Sequence, residues 1–276
     1  MARRARLDTE LVRRGLARSR EHAAQLIADG LVLLRGTVAS KPAAMADLAD
    51  PVHVVGAERA VEREYVSRGA RKLLGALAAF EPGLTVQGRR CLDAGASTGG
   101  FTDVLLRRGA SSVVAVDVGY GQLAWSLRTD ERVTVLERTN VRTLTPEAVG
   151  GPVDLTVADL SFISLRLVLP SLLACTVPGG DVVPMVKPQF EVGRERVGKG
   201  GVVRDPALRS RAVLDVAEAA WTMGVGVAGL VQSPLPGPSG NIEYFLWLRR
   251  DAPGIHLSEL AVVTGAPDPA PPEDEA

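Results

Sequence analysis

Runs rich in valine and leucine alternate with amphipathic segments along the chain after residue 67. Such runs predict strands buried on both faces, and apolar residues three or four positions apart predict the helices between them. The predicted strands are residues 89–95, 112–119, 133–138, 153–160, 179–188, 225–234 and 242–250, and the predicted helices are Ser67–Phe80, Phe101–Arg108, Gln122–Leu127, 165–176 and Pro206–Trp221. Because no helix separates the last two strands, we expect them to be antiparallel neighbours. The pattern predicts an α/β fold with a mostly parallel, seven-stranded sheet.

The first 50 residues follow a different pattern. Asp8 can cap a helix that runs to about Gly15, and Ser19 can cap a second helix, Arg20–Asp29. Two short strands around Arg35-Gly36 come next. These elements predict a small α+β domain.

Composition sets the expected boundaries. We expect the small domain at residues 1–56, a charged, non-periodic linker at 57–66 and the sheet domain at 67–250. Residues 251–276 contain six acids and no lysine or arginine, and they end in a proline-rich stretch. We expect this segment to be a disordered tail.

Overall charge is zero, with 32 basic and 32 acidic residues, which alone argues against a nucleic-acid partner. The total hides an asymmetry, because residues 1–35 hold eight arginines and four acids. Two cysteines without metal-ligand spacing indicate a reducing compartment and no metal site. No apolar run approaches the roughly 18 residues of a membrane span, and no secretory signal is present. We therefore expect a cytoplasmic protein without a membrane partner.

A glycine-rich loop, LDAGASTGGFT, follows the first predicted strand of the sheet. The loop matches neither the dinucleotide-binding pattern nor the Walker pattern. Asp117 lies 24 residues after Asp93, which is near the spacing at which an acidic residue binds ribose hydroxyls. Adenosine without pyrophosphate suggests S-adenosylmethionine, although a glycine-rich turn of another α/β enzyme stays possible. The candidate cofactor residues are Asp93, Gly95, Ala96, Ser97, Thr98, Gly99, Gly100, Phe101, Asp117, Val118, Asn140 and Asp159.

Four ionisable residues occupy positions that suggest chemistry. Asp159 and Lys187 each end a predicted strand, Glu243 opens the last strand, and Lys72 lies on the helix before the first strand. Open α/β sheets build their sites at strand carboxyl ends. Only four of the 32 basic residues are lysines, and a lysine, unlike an arginine, can lose its proton when buried. Taken singly, each of the four also fits an ordinary salt bridge.

Two parts of the sequence resemble known protein families. The segment RLDTELVRRGLARSREHAAQLIADGLVLLRG resembles the S4 RNA-binding fold, although an arginine-rich helical hairpin without RNA is an alternative. The motifs DAGASTGGFT, ADLSFIS, VKPQFE and PSGNIEYFLWL together resemble the TlyA family, also called haemolysin A, over residues 3–250. That resemblance implies a class I, Rossmann-like methyltransferase domain of the FtsJ kind behind the S4-like domain.

The resemblance also implies an activity and its residues. The reaction is methyl transfer from S-adenosylmethionine to the 2′-oxygen of cytidine in 16S and 23S rRNA, within ribosomal subunits. The catalytic tetrad is Lys72, Asp159, Lys187 and Glu243, with Lys187 as the base or as the group that orients the oxygen. The expected RNA contacts are Arg3, Arg4, Arg6, Arg13, Arg14, Arg18, Arg20, Tyr65 and Arg68.

Tyr65 is a departure, since the family has tryptophan in its Arg-Ala-Trp-Val linker motif and this chain has Arg63, Glu64, Tyr65 and Val66. We expect a monomer. Two rival functions remain: an RNA-binding ribosome assembly factor without catalysis, and a membrane-active haemolysin, for which the sequence offers no membrane-inserting segment.

Overall fold

The computed structural model describes residues 4–17, 19–47, 50–54 and 65–266. The chain divides into two compact units, Met1–Glu64 and Tyr65–Ala276. Most of the predicted linker, residues 57–64, lies outside the described residues, and Tyr65 and Val66 belong to the second unit.

The first unit is a small α+β domain, as predicted. Its elements are β1 (Arg4–Arg6), α1 (Leu7–Arg13), α2 (Arg20–Ala28), β2 (Val32–Leu34), β3 (Thr37–Val38), β4 (Met45–Asp47) and β5 (Val52–Val54). Ser19 caps α2 by accepting the His22 N–H at 3.1 Å, which confirms the predicted cap. The predicted Asp8 cap is wrong, because Asp8 lies inside the first turn of α1, whose N-cap is Arg6. The hairpin of β2 and β3 is confirmed as well, and β5 pairs with the other edge of β2. The antiparallel pair of β1 and β4 was not predicted, because three-residue strands carry no periodicity.

The second unit contains one seven-stranded sheet with helices on both faces. Its elements are α3 (Gly69–Phe80), β6 (Arg90–Ala94), α4 (Gly100–Arg107), β7 (Ser112–Val116), α5 (Trp125–Arg128), β8 (Val133–Leu136), β9 (Val153–Ala158), α6 (Leu169–Ala174), β10 (Thr176–Val186), α7 (Pro188–Glu191), α8 (Pro206–Thr222), β11 (Gly226–Gln232), β12 (Tyr244–Arg249) and α9 (Leu257–Thr264). The strand order is β11-β12-β10-β9-β6-β7-β8. Strand β12 is antiparallel to both of its neighbours, which confirms the predicted pairing of the last two strands.

Alternate residues of each central strand enter two separate cores. On β6, Cys91 packs in the core with α3 and α4, whereas Leu92 packs in the core with α6 and α8. A strand with both faces buried needs apolar residues at nearly every position, which explains the continuous apolar runs of the sequence. The candidate site is built at the carboxyl ends of the parallel strands.

The predicted disordered tail is wrong for residues 257–264, which form α9. Leu260 is 2% exposed and packs against the core that contains α8. The apolar residues of this stretch outweigh the acidic composition of the whole segment. Residues 267–276 lie outside the described part of the chain.

The predicted helix 165–176 is also corrected. A 3₁₀ turn, Leu165–Leu167, precedes α6, and β10 begins already at Thr176. Pro170 lies in the first turn of α6, where its missing N–H costs nothing, so it favours a new helix start rather than a continuous helix.

Candidate active site

The strand register places the candidate residues at one edge of the sheet. Ala94 pairs with Val116 on one side and with Ala158 on the other, and Pro184 pairs with Ala158. The residues that follow these strands therefore lie side by side: the glycine-rich loop after β6, Asp117 after β7, and Asp159 after β9. Tyr244 pairs with Val186, so that Glu243 lies opposite Lys187.

The loop after β6 needs its glycines for close approach. Gly95 has φ +90°, and a Cβ there would lie 2.5 Å from the carbonyl oxygen of Asp159. Gly99 has φ +99° and faces Leu127, and a Cβ on Gly100 would strike Ser67. Backbone N–H groups of Gly95 and Ala96 both donate to the Val116 carbonyl, at 2.8 and 3.0 Å. The loop thus closes tightly over the ends of its two neighbouring strands.

Asp93 lies beneath this loop and is fully buried. Its Oδ2 accepts the Thr102 hydroxyl at 2.7 Å. Among the described residues, its Oδ1 has no hydrogen-bond partner. Burial raises the pKa of Asp93 to about 7, and the Thr102 hydrogen bond opposes the rise only in part. A buried acceptor without a partner next to a glycine cradle is a feature that a bound ligand can satisfy.

Asp117 organises the next loop. Its two carboxylate oxygens accept the N–H groups of Ser97 at 2.7 Å and Gly119 at 2.6 Å. A small cleft opens beside it, lined by Ala96, Ser97, Ala115, Asp117, Gly119, Gln122, Leu123, Val135 and Glu137. The cleft combines apolar walls, Leu123 and Val135 among them, with the polar side chains of Ser97, Asp117, Gln122 and Glu137.

Other predicted cofactor residues have different surroundings. Phe101 is 4% exposed and packs against Phe245, with 6.0 Å between ring centroids. Asn140 caps a short 3₁₀ turn by accepting the Arg142 N–H at 3.0 Å. Val118 is 75% exposed, and the Thr98 carbonyl accepts the Ala124 N–H at 3.2 Å.

Lys187 and Asp159 form an ion pair, with 2.6 Å between Nζ and Oδ1. The ammonium group also donates to the Ser161 hydroxyl at 3.0 Å. The Lys187 side chain is 10% exposed and the Asp159 side chain 23%, so one end of the pair reaches solvent. Both residues adjoin the glycine-rich loop through the contact between Gly95 and Asp159.

Lys72 and Glu243 form a second, more deeply buried ion pair that joins α3 to the start of β12. The side chains are 7% and 1% exposed. The backbone at Gly237 closes over the carboxylate, because a Cβ there would lie 2.6 Å from Oε1. All four residues of the predicted tetrad thus lie at the same edge of the sheet, in two pairs.

Sequence reasoning missed an aromatic pair beside Lys187. The Phe162 and Phe190 rings are 5.2 Å apart between centroids. Phe162 is 91% exposed and has φ +64°, an uncommon backbone conformation for a phenylalanine. A phenylalanine three residues after a strand-ending aspartate, next to Ser161, was the signal available in the sequence. Strained, exposed aromatic residues are typical of binding sites.

In the first unit, two buried carboxylates form ion pairs with four of the arginines that are predicted to contact RNA. Asp8 is 4% exposed and accepts Arg6 at 2.9 Å and Arg20 at 3.1 Å. The Arg6 guanidinium holds the pKa of Asp8 well below its usual range. Glu10 is 1% exposed and accepts both Arg13 and Arg14, at 2.6 and 2.7 Å.

The hydrogen bond from Arg13 lowers the pKa of Glu10 to about 2. These carboxylates limit where the four guanidinium groups can point. Arg3, Arg18 and the Arg4 side chain lie outside the described part of the chain.

The start of the second unit is anchored on α4. The Val66 N–H donates to the Asp103 carboxylate at 2.9 Å. Asp103 also forms an ion pair with Arg107. The Arg107 guanidinium lies 4.3 Å from the centre of the Tyr65 ring. Arg68 is exposed at the beginning of α3. The two predicted RNA contacts of this segment are therefore in different settings, one stacked and one open to solvent.

Among the described residues, no helix is both long and apolar enough to cross a membrane. Within the same ranges, histidine, cysteine and acidic side chains form no group suited to a metal ion.

A sheet of this strand order, with a glycine-rich loop after its first strand and an acid after its second, defines a methyltransferase of the S-adenosylmethionine-dependent class. The FtsJ-like methyltransferase family matches residues 65–250, and the S4 domain matches residues 5–52. The chain belongs to the TlyA family.

Three relatives illustrate the family. The chain is 65% identical over 250 residues to the 16S/23S rRNA (cytidine-2′-O)-methyltransferase TlyA of Mycobacterium tuberculosis, covering 90% of this chain and 91% of that protein. It is 45% identical to YqxC of Bacillus subtilis, named as an rRNA methyltransferase, covering 94% and 90% of the two chains. A solved structure from Streptococcus thermophilus that carries the name hemolysin has a TM-score of 0.72 and 39% identity, covering 96% of each chain.

Proposed function

We propose that this protein transfers a methyl group from S-adenosylmethionine to the ribose 2′-oxygen of cytidine in 16S and 23S rRNA. The observation that carries the proposal is the Lys187–Asp159 pair beside the glycine-rich loop. It supplies a partly buried amine at the edge of the sheet where the cofactor cleft opens. The 65% identity to TlyA of M. tuberculosis supports the choice of rRNA cytidine as substrate.

The residues around the cleft fit the proposed cofactor. Ala96 and Ser97 line the cleft, Asp117 provides a carboxylate of the kind that binds ribose hydroxyls, and Asp93, beneath the loop, provides a buried acceptor. When bound, S-adenosylmethionine supplies an electrophilic methyl group on a positively charged sulfur. Asp159 places negative charge next to that region, which favours a cationic ligand.

The tetrad then acts on the ribose. Lys187 Nζ would orient the 2′-oxygen and, as the neutral amine, would accept the hydroxyl proton, while the bound cofactor would supply its methyl group to that oxygen. Lys72 and Glu243 hold α3 and the start of β12 together at the ribose side. The exposed Phe162 ring offers a face on which the target base can stack.

The S4-like unit supplies affinity for RNA. Its arginines suit contacts to phosphates, which position a protein on RNA without reading sequence. Because the substrate is part of the ribosome, we place the activity in the cytoplasm, with the protein acting as a monomer.

Labelled-methyl transfer to isolated small and large ribosomal subunits tests the proposal. We expect the wild-type protein to label both subunits, and primer-extension mapping to locate each methyl group at a cytidine. Lys187→Ala should abolish labelling, whereas Lys199→Ala, at an exposed lysine, should not change it. A wild-type protein that binds S-adenosylmethionine but labels neither subunit would contradict the proposal and favour an assembly factor.

A further inference from the structure

The two strands that carry Asp159 and Lys187 continue into segments that touch each other repeatedly. Residues 160–167 follow Asp159, and α7 follows Lys187. Next to the ion pair, Lys187 Nζ donates to Ser161 Oγ at 3.0 Å. One step further, the Phe162 and Phe190 rings lie 5.2 Å apart. The geometry of the ion pair therefore depends on how these two segments are held together.

A buried carboxylate makes the last of these contacts. Glu191 is 5% exposed, and its Oε2 accepts the Ser164 hydroxyl at 2.5 Å while its Oε1 accepts the Leu165 N–H at 2.7 Å. The Arg166 Nε lies 3.6 Å from Oε2. Both carboxylate oxygens are thus directed at the segment that follows Asp159, and neither touches a member of the tetrad.

A buried carboxylate is energetically unfavourable at this position if the side chain only fills space. Removing it from water is unfavourable, and burial raises its pKa. An apolar residue of similar volume would avoid that cost. What an apolar residue lacks is the ability to fix the direction of two donors at once.

We propose that Glu191 is a positioning residue for methyl transfer, whose carboxylate holds the segment after Asp159 against the segment after Lys187. Through this clasp it sets the Lys187–Asp159 geometry and the placement of Phe162 against Phe190. The inference rests on the proposed function for its kinetic consequence, although its structural consequence can be measured without any reaction.

Three variants test the clasp by activity. Glu191→Gln keeps the size of the side chain but replaces one acceptor oxygen by a donor, and Ser164→Ala removes one of the two hydrogen bonds. Glu218→Gln is the matched control, since it makes the same chemical change on a side chain that is 57% exposed. With ribosomal subunits as substrate, we expect kcat to fall about tenfold to a hundredfold in the first two, because small misplacements of reacting groups have effects of this size. We expect KM for S-adenosylmethionine to change less than about twofold.

Lysine spectroscopy provides the readout that does not need turnover. The chain has only four lysines, so ¹³C-lysine labelling yields four side-chain signals, and Lys187→Ala assigns the one of interest. We expect Glu191→Gln and Ser164→Ala to shift the Lys187 signal and to leave the Lys72 signal in place, with no shift in Glu218→Gln.

A fall in kcat with an unmoved Lys187 signal, or kinetics equal to those of Glu218→Gln, would overturn the positioning role. If the wild-type protein labels neither subunit, the proposed function fails, while the Lys187 signal still decides whether Glu191 positions the pair.

Discussion

Lys187 and Asp159 follow neighbouring parallel strands, and Nζ of the lysine lies 2.6 Å from Oδ1 of the aspartate. The pair is partly buried, and the carbonyl oxygen of the same aspartate lies against Gly95 of the cofactor loop. The proposed base and the proposed cofactor site are thus joined through one residue. Substitutions at Lys187 should therefore affect methyl transfer, and substitutions at Gly95 should affect cofactor binding.

Lys187→Arg tests whether proton transfer, rather than charge alone, is required at this position. Arginine keeps the positive charge but does not lose its proton in proteins. We expect kcat to fall by about 10²–10⁴-fold, the range typical of a lost general base, while affinity for S-adenosylmethionine stays within several-fold. Single-turnover methyl transfer and calorimetric binding measure the two quantities. Lys199→Arg is the control, and an active Lys187→Arg would show that Lys187 only orients the oxygen.

Lys72 and Glu243 should be strongly coupled in stability. Removing one partner of a buried ion pair leaves an uncompensated charge, which costs about 3–5 kcal/mol. We expect Lys72→Met to lower the free energy of unfolding by about this amount. The double variant Lys72→Met, Glu243→Gln should lose less free energy of unfolding than the two single variants lose together. Urea unfolding of the four proteins in the double-mutant cycle measures the coupling. Additive losses would mean that the pair contributes no interaction of its own.

Gly95→Ala should damage cofactor binding beyond its backbone strain. The new Cβ would lie 2.5 Å from the Asp159 carbonyl oxygen at a residue with φ +90°. Gly88→Ala is the matched control, because Gly88 has φ +74° and a Cβ there would meet no other atom within 4 Å. We expect affinity for S-adenosylmethionine to fall more than about tenfold in Gly95→Ala alone, with some loss of stability in both, of about 1–3 kcal/mol. Equal affinities in the two variants would contradict the close approach.

Asp93 should make stability depend on pH. Its pKa in the folded protein is about 7, above the ordinary value of 3.8. Between about pH 4 and pH 7 the unfolded chain has lost this proton and the folded chain retains it, so the free energy of unfolding falls as pH rises through this window. Each pH unit contributes about 1.4 kcal/mol.

Asp93→Asn removes the titrating group and should flatten this slope. Urea unfolding at about pH 4.5, 6 and 7.5 measures it. The change Asp130→Asn, at a partly exposed site, should not flatten the slope, since the Arg132 hydrogen bond lowers the pKa of Asp130 instead. Parallel pH profiles for Asp93→Asn and wild type would show that Asp93 is ionised when folded.

Arg20→Ala should weaken binding to rRNA evenly across sequences. Arg20 is held by Asp8 and its side chain is 60% exposed, so it can contact a phosphate. Removing one phosphate contact reduces the salt dependence of binding by about one counterion. Fluorescence titrations with rRNA fragments at several salt concentrations measure the slope. Arg132→Ala, in the other unit, should leave it unchanged, and an unchanged slope in Arg20→Ala would exclude the contact.

Much of the fold could be predicted because its signals are local. Apolar runs marked the strands of the sheet, Ser19 marked the start of α2, and the absence of a helix between β11 and β12 required an antiparallel pair. The glycine-rich loop and the strand-ending acids could be recognised in the same way, since strand ends and tight turns have characteristic residues. The tetrad itself was identified by resemblance to the TlyA family.

The errors at α9 and at β1 have a common physical cause. Helix α9 forms because Leu260 is buried against another part of the chain, and β1 forms because β4 is available to pair with it. Both elements are short, and their stability comes from tertiary contacts rather than from propensity. No window of local sequence contains that information.

The sequence alone determined the order of the strands and helices, the position of the cofactor loop and the residue types available for chemistry. The tertiary structure decided which of these side chains meet. Lys72 and Glu243 are 171 residues apart in the chain and in direct contact. The contact of Phe162 with Phe190 and the hydrogen bond between Glu191 and Ser164 likewise depend on how β9 and β10 are paired. Register and packing are properties of the whole folded chain, because each contact is stabilised by many others that the linear sequence does not specify one by one.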